Sequence, residues 1–154
     1  MEIEIINKER EIQVILMHLQ PGDEIPLHDH PDTHVFLYVV SGDIEMECFD
    51  KVRNDQDSIS IKSCFIKKFK TSDSYLLTPT KNNMHHIRAL TPASIMDVMT
   101  PGYYESGNVP NWYKVISKQR LEIEAALTEQ PDYIVKAKER ALKQFEKKST
   151  LITS

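Results

Sequence analysis

Histidines concentrated in two short stretches are the residues of this sequence most suited to chemistry. His28, His30 and His34 form the first stretch, and His85 and His86 form the second. In a β-strand residues i and i+2 share a face, so His28 and His30 would place their imidazoles side by side. Two adjacent imidazoles bind a divalent cation when a third ligand comes from another strand. A His-x-His pair alone is weak evidence, because it also occurs as exposed or hydrogen-bonded surface histidines.

The elements that must position these histidines are short apolar runs separated by turn signals. Residues 44–48 alternate apolar and acidic side chains, the period-2 pattern of a strand with one wet face. Prolines fall between the runs, where the missing N–H is harmless. About ten short strands with regular turns predict an all-β sandwich or barrel. The predicted strands cover residues 1–6, 12–19, 35–40, 44–48, 58–61, 64–69, 75–77, 85–90, 94–99 and 112–116.

The last part of the chain has a different pattern, so we divide the protein into a barrel at 1–116 and a C-terminal helical extension at 117–154. Residues 118–128 have helix-forming composition, and Asp132 is a candidate N-cap for a following helix. This extension is expected to pack on the barrel or on a partner subunit, without a catalytic role. Apolar residues and one lysine fall near helical spacing on one face: Ile134, Val135, Lys138, Ala141, Leu142 and Phe145.

Bulk composition narrows the classes of function. The 154 residues fit one ordinary domain, and a net charge of −4 gives no basic excess to attract nucleic acid. There is no 18-residue apolar run and no signal-peptide pattern at residues 1–4, so neither a membrane span nor export is expected. Two cysteines, Cys48 and Cys64, are too few for a disulfide scaffold and indicate a reduced compartment. A cytoplasmic location is the resulting expectation.

The surroundings of the histidines resemble the two metal motifs of the cupin superfamily. A turn at Pro21-Gly22 precedes His28-Asp29-His30-Pro31, and an apolar strand then runs to Gly42. A second turn at residues 78–83 leads directly into His85. This resemblance implies a double-stranded β-helix, a barrel of the jelly-roll type, that binds a metal ion inside.

Four ordered blocks within about residues 12–116 further resemble the cysteamine dioxygenase and plant cysteine oxidase family. The blocks are Ile25-Pro26-Leu27-His28-Asp29-His30-Pro31, Asn83-Met84-His85, Ala89-Leu90-Thr91-Pro92 and Asp97-Val98-Met99-Thr100-Pro101-Gly102-Tyr103. The resemblance implies that His28, His30 and His85 hold a ferrous ion, Fe(2+), with no carboxylate ligand. It also implies addition of O2 to a thiol to give a sulfinic acid, with cysteamine or a protein N-terminal cysteine as the substrate.

The chemistry of three neutral imidazoles suits this reaction. They leave the charge of the ion uncancelled, and a cation stabilises a bound thiolate. The lack of a glutamate among the candidate ligands fits thiol oxygenation better than a 2-His-1-carboxylate site. The chain departs from the pattern at His34, which stands where most cupins have a ligand glutamate. His34 could be a fourth ligand, or it could support the ligands without binding the metal itself. The turn before His85, Lys81-Asn82-Asn83, lacks the glycine of the family pattern. The helical extension has no counterpart in that pattern.

Asp97 and Tyr103 are the candidate catalytic residues. Alternation places Asp97 on one strand face with Ile95 and Met99, and a carboxylate in an apolar strand is costly unless a donor meets it. Asp97 either makes a buried structural hydrogen bond, or it orients a ligand histidine or pairs with the amine of the substrate. Tyr103 follows a Pro-Gly turn, so its ring either folds over the barrel mouth or is half-buried with a wet hydroxyl.

Two other classes of function remain open at this point. One is a different metal-dependent cupin enzyme, an isomerase or another dioxygenase, because histidine ligands alone do not choose the metal. The other is a non-catalytic cupin that binds a small molecule and acts on a partner through the helical extension. The sequence does not decide between a small thiol and a peptide with an N-terminal cysteine as substrate, nor does it give the oligomeric state.

Overall fold

The computed structural model describes residues 1–119 and 122–153, and these residues form eleven strands and two helices. All strand pairings among them are antiparallel. One sheet has the order β1-β2-β9-β4-β7, and the other strands close into a barrel in the order β10-β11-β6-β5-β8-β3. The prediction of an all-β architecture is confirmed. The elements are β1 (Glu2–Lys8), β2 (Gln13–Leu19), β3 (Glu24–His28), β4 (His34–Ser41), β5 (Ile44–Asn54), β6 (Ile59–Phe69), β7 (Ser74–Leu77), β8 (Met84–Ala89), β9 (Ala93–Thr100), α1 (Tyr103–Ser106), β10 (Trp112–Gln119), β11 (Glu122–Thr128) and α2 (Asp132–Thr153).

The core follows from strict alternation along the central strands. In β9 every second side chain is buried, and this set includes Ile95, Asp97 and Met99 as predicted. β9 lies between β2 and β4, with Asp97 opposite Ile15 on one neighbour and Leu37 on the other. Because alternate residues of a strand share a face, a carboxyl at this register must lie on the apolar inner side of the sheet.

The prediction of a helix at residues 118–128 is wrong. β10 continues to Gln119, and Glu122–Thr128 is a strand that pairs with both β10 and β6. Ile123 and Ala125 are fully or nearly fully buried in an apolar cluster between these strands. Glutamate, alanine and leucine favour helices in isolation, but the free edge of β6 and the burial of alternate apolar residues outweigh that propensity. Residues 120 and 121, part of the same prediction, lie outside the described residues.

The strands therefore continue to residue 128, past the boundary predicted at 116, and the helical part begins at Asp132. Ile134, Ala137 and Ala141 of α2 are buried in the main core, and the helix packs against β1 of the same chain. Part of the helical extension therefore packs on the strands of its own chain. Neither helix of the described residues has both the length and the apolar character that crossing a membrane requires.

The connection from β9 to α1 is fixed by Gly102. A Cβ at this position would lie 2.3 Å from the carbonyl oxygen of Glu9, so only glycine fits without moving the backbone. The Gly102 N–H also donates to the carbonyl oxygen of Arg10 at 2.9 Å. This close approach anchors the start of α1, whose first residue is Tyr103.

Candidate metal centre and substrate cavity

Three buried histidines converge inside the barrel. His28 ends β3, His30 follows in the next loop, and His85 lies in β8 directly opposite His28. Their ring centroids are 4.6–4.7 Å apart, and one nitrogen from each ring lies within 4.8 Å of the others. The side chains are 6%, 2% and 0% exposed. The structure thus brings together the three residues predicted as metal ligands.

Backbone oxygens orient two of these rings. Nδ1 of His28 donates to the Pro26 carbonyl at 2.7 Å, and Nδ1 of His30 donates to the Asn83 carbonyl at 2.6 Å. Nδ1 of His85 lies 3.3 Å from the sulfur of Met46. A proton on Nδ1 leaves the Nε2 lone pair free to bind a metal. Nε2 of His28 and Nε2 of His85 are only 3.0 Å apart, an arrangement that a cation shared by both lone pairs would stabilise.

Burial keeps these imidazoles neutral. It lowers the pKa of His30 to about 4, and it lowers the pKa values of His28 and His85 well below the usual value. Positive charge on neighbouring histidines adds to the effect for His28 and His85. Neutral imidazole is the form that binds metal, so the donor set fits a divalent cation at neutral pH.

The loop that carries His30 is held by polar contacts that the sequence analysis did not identify. The Asn83 side chain accepts from the His30 N–H and donates to the His30 carbonyl, each at 2.8 Å. Asp29 points away from the centre, as predicted, and accepts from the backbone N–H of Asn111 at 2.8 Å and from the Tyr113 hydroxyl at 3.1 Å. Of the residues that hold this loop in place, Asn83 belongs to one of the four sequence blocks, Asn83-Met84-His85. Asn111 and Tyr113 come from β10 or its approach and carried no signal.

A cavity of about 410 Å³ opens beside the histidines. Its wall is mainly apolar and comes from both sheets, and α2 adds part of one side. Such a cavity with few polar groups is typical of small-molecule sites. The apolar lining includes Ile15, Met17, Ile25, Ile87, Met99, Trp112 and Ile134. The polar lining consists of His28, His30, His85, Gln13, Asp97, Tyr103, Gln130 and Lys138, with Tyr104 beside them.

Asp97 faces the cavity with an unused carboxyl oxygen. Its Oδ1 is buried and has no hydrogen-bond partner among the described residues, and burial raises the pKa of Asp97 to about 7. A structural hydrogen bond to that oxygen is therefore not observed. For two of the three histidines, His28 and His30, the acceptor at Nδ1 is a backbone carbonyl and not Asp97. Pairing of Asp97 with the amine of the substrate stays a prediction, and the buried oxygen is free to accept such a hydrogen bond.

Tyr103 lies next to the metal centre. Its ring stacks on His30 with a centroid distance of 6.4 Å and an interplanar angle of 15°. Its hydroxyl is buried without a partner among the described residues, so the wet hydroxyl that the sequence left open is not observed. Burial raises the pKa of Tyr103, and the charge of Asp97 adds to the rise. The hydroxyl therefore stays protonated and can donate a hydrogen bond into the cavity.

The remaining histidines lie outside the centre. His34 is exposed on the outer face of β4, so it does not join the other three as a fourth ligand. His86 faces away from His85 and lies 3.6 Å from a carboxylate oxygen of Glu24. His18 contacts the side chains of Ser94 and Glu4 on the outer sheet face.

Lys138 is a cavity residue that the sequence analysis treated only as part of a packing face. Its ammonium lies 5.8 Å from the centroid of the Trp112 ring, and the Trp112 ring is 4.7 Å from that of His28. Burial lowers the pKa of Lys138 to about 8. The sequence signal was a lysine within an otherwise apolar helical face, flanked one turn away by Ile134 and Leu142.

The raised pKa of Asp97 predicts a pH-dependent effect of Asp97→Asn on the metal-free protein. The folded state holds this proton up to about pH 7, whereas the unfolded chain releases it near 3.8. The contribution of Asp97 to the free energy of unfolding is therefore fully present below about pH 3.8, and it is lost as the pH rises through about 7. The full cost of the charged form is of the order of 4 kcal/mol, about 1.4 kcal/mol for each step in pKa.

Asparagine removes that cost, so the melting temperature of the variant should rise relative to wild type between about pH 5 and about pH 8. Differential scanning calorimetry on chelator-treated protein measures this, with the exposed Asp57→Asn as the control. A difference in melting temperature between Asp97→Asn and wild type that stays constant or becomes smaller as the pH rises contradicts the assignment of Asp97 as an unpartnered carboxyl.

The PCO_ADO family model matches residues 2–151 of the chain. The chain belongs to this family. The family resemblance drawn from the four sequence blocks is thereby confirmed, and the match reaches into the C-terminal region where the sequence analysis saw none. The PCO_ADO match covers every residue that lines the cavity except Met1, including those on α2.

Curated relatives of this PCO_ADO member are similar at low identity. The 2-aminoethanethiol dioxygenase of Mus musculus is 27% identical over 126 residues, which cover 66% of this chain and 49% of the relative. Plant cysteine oxidase 2 of Arabidopsis thaliana is 28% identical over 99 residues, with 58% of this chain and 35% of the relative covered. The chain thus spans about half the length, or less, of the curated relatives it matches.

Solved structures with the same fold confirm the prediction of a cupin double-stranded β-helix. An RmlC-like cupin from Shewanella frigidimarina has a TM-score of 0.53 at 18% identity, covering 67% of this chain and 78% of the other. A double-stranded β-helix protein from Klebsiella pneumoniae has a TM-score of 0.52 at 19% identity, covering 69% and 77%. At these identities the likeness concerns the fold alone.

Proposed function

We propose that this protein is an iron-dependent thiol dioxygenase that converts an amine-bearing thiol into a sulfinic acid with O2. The observation that carries the proposal is the buried set of three neutral histidines opening into an apolar cavity that also holds an unpartnered carboxyl. The names of the relatives, a 2-aminoethanethiol dioxygenase and a plant cysteine oxidase, support the same reaction.

His28, His30 and His85 would hold the metal ion through their Nε2 atoms. The hydrogen bonds at Nδ1 fix the first two rings, so little reorganisation is needed on binding. No carboxylate belongs to this group of described residues, so the ligand set keeps the full charge of the ion, which favours a thiolate. Bound iron would supply the redox chemistry by which dioxygen reacts with a thiol at the same centre.

The chain's own side chains bind and orient the substrate. Asp97 would accept hydrogen bonds from the substrate ammonium, which supplies the partner that its Oδ1 lacks. That ion pair favours the charged carboxylate and so lowers the pKa of Asp97 from its raised value. The protonated hydroxyl of Tyr103, next to His30, would donate to the reacting group. Apolar walls exclude water and strengthen both interactions.

The reaction balances without another reductant. Two S–O bonds form and the O–O bond breaks, and sulfur supplies all the electrons that dioxygen takes up. The proton of the thiol leaves when the thiolate forms, and the sulfinic acid carries an equivalent proton until it ionises. Both oxygen atoms of the product therefore come from O2.

Anaerobic iron loading followed by mass spectrometry of a thiol panel tests the proposed function. A thiol with a nearby amine should gain the mass of two oxygen atoms, and labelled oxygen gas should supply both. Protein stripped by a chelator is the control and should leave the thiol unchanged. Oxygen derived only from labelled water, or an iron-loaded protein that leaves every thiol untouched, would contradict the proposal.

A further inference from the structure

One face of α2 contributes to the wall of the cavity. Ile134 and Lys138 are one helical turn apart and both line it, together with Gln130 just before the helix. Because residues four apart lie on the same side of a helix, the packing of α2 on β1 directs Lys138 towards the cavity. Among the described lining residues Lys138 is the only lysine or arginine.

Within the described chain, the Lys138 ammonium has no carboxylate at salt-bridge distance. Its neighbour Lys136 offers a contrast, because it is exposed and lies 3.0 Å from an oxygen of Asp132. A partly buried cation without an anionic partner is costly, and contact with the face of Trp112 offsets only part of that cost. Lys138 is thus placed to bind an anion that the described residues do not provide.

Trp112 connects Lys138 with the histidines. The Lys138 ammonium lies 5.8 Å from the centroid of the Trp112 ring, and that ring lies 4.7 Å from the ring of His28. The cavity that the histidines line therefore also holds an acidic group on β9 and a basic group on α2. A ligand that carries both charges would satisfy Asp97 and Lys138 together.

We propose that Lys138 binds a carboxylate of the substrate, so that the thiol used by this protein is a small amino acid thiol, such as free cysteine. This inference rests on the proposed function and narrows its substrate class. Cysteamine offers the amine but no carboxylate, and in a peptide with an N-terminal cysteine that carboxylate is a neutral amide. Neither of these thiols therefore offers a negative charge next to the cysteine Cα to balance the Lys138 ammonium.

Lys138→Met tests this, because it keeps the apolar stem and removes the charge, and Lys138→Gln provides a second neutral side chain. Exposed Lys136→Met is the matched control. Iron-loaded proteins are assayed with L-cysteine, cysteamine and a short peptide that begins with cysteine. Both Lys138 variants should raise KM for L-cysteine about tenfold to a hundredfold, as expected for losing a charge-assisted contact. KM for cysteamine and the peptide should change less than about twofold, and Lys136→Met should behave as wild type.

Binding supplies a second readout that does not depend on turnover. Anaerobic calorimetric titration should show L-cysteine binding wild type more tightly than cysteamine does, with the difference lost in both Lys138 variants. Equal losses for all three thiols would overturn the inference, because they would mean that Lys138 only supports Trp112 and His28. A wild-type preference for cysteamine or the peptide would overturn it too. If wild type oxidises no thiol, the proposed function fails, and the titration still decides whether Lys138 binds a carboxylate.

Discussion

Replacing His85 by alanine should remove the proposed iron binding and abolish thiol oxidation, while the barrel should stay folded. His85 is fully buried in β8 and supplies one of only three candidate ligands among the described residues. With two imidazoles left, the site loses a third of its donors, and no carboxylate belongs to the candidate ligand group of the described residues. The barrel survives because its core consists of apolar side chains from the strands of both sheets rather than the metal.

Elemental analysis, oxygen uptake and circular dichroism of one purified sample measure this result. His86→Ala is the matched control, since its side chain is on the opposite face of the same strand and contacts Glu24. We expect it to keep its iron and most of its activity. Full iron retention by His85→Ala, together with loss in His86→Ala, would move the third ligand by one residue. His28→Ala and His30→Ala should behave like His85→Ala.

Asp97→Asn should lower kcat/KM for amine-bearing thiols by about tenfold to a hundredfold, with iron content unchanged. The carboxylate is the acidic group that faces the cavity, and asparagine keeps its shape while removing the charge that attracts an ammonium. A thiol without an amine, 3-mercaptopropionate, has no such interaction to lose. Its kcat/KM should therefore change much less.

Steady-state rates per bound iron, measured with both kinds of thiol, decide between a binding and a structural role for Asp97. If Asp97 is only a structural anchor, its asparagine variant should melt at a lower temperature and retain normal activity per folded, iron-loaded molecule. That result would remove Asp97 from the substrate-binding site. Asp57→Asn, a change at an exposed position, is the control for loss of one negative charge.

The sequence was sufficient for the parts of the protein that depend on local pattern. Alternation in β9 by itself placed Asp97 on the inner face with Ile95 and Met99, and the Pro-Gly turn at Gly102 indicated that Tyr103 follows a sharp bend. The three candidate metal ligands were predicted in two ways. Spacing paired His28 with His30, whereas His85 needed the family resemblance, because it is far from the other two along the chain.

The local sequence pattern does not show which element pairs with a given strand or packs against a given helix. Residues 122–128 have a helical composition, yet they form β11 because β6 and β10 offer edges on which Ile123 and Ala125 become buried. The roles of Asn111 and Tyr113 likewise depend on which loop lies beside β10.

The cavity shows the same division between local sequence and tertiary structure. Sequence determined that Lys138 lies on one face of a helix with Ile134, and packing determined that this face closes the cavity rather than meeting solvent. The physical reason is that helical periodicity fixes which residues share a face, while the direction of that face depends on apolar surface elsewhere in the chain. Sequence therefore determined the barrel and its three histidines, and the tertiary structure alone decided which charged groups line the cavity beside them.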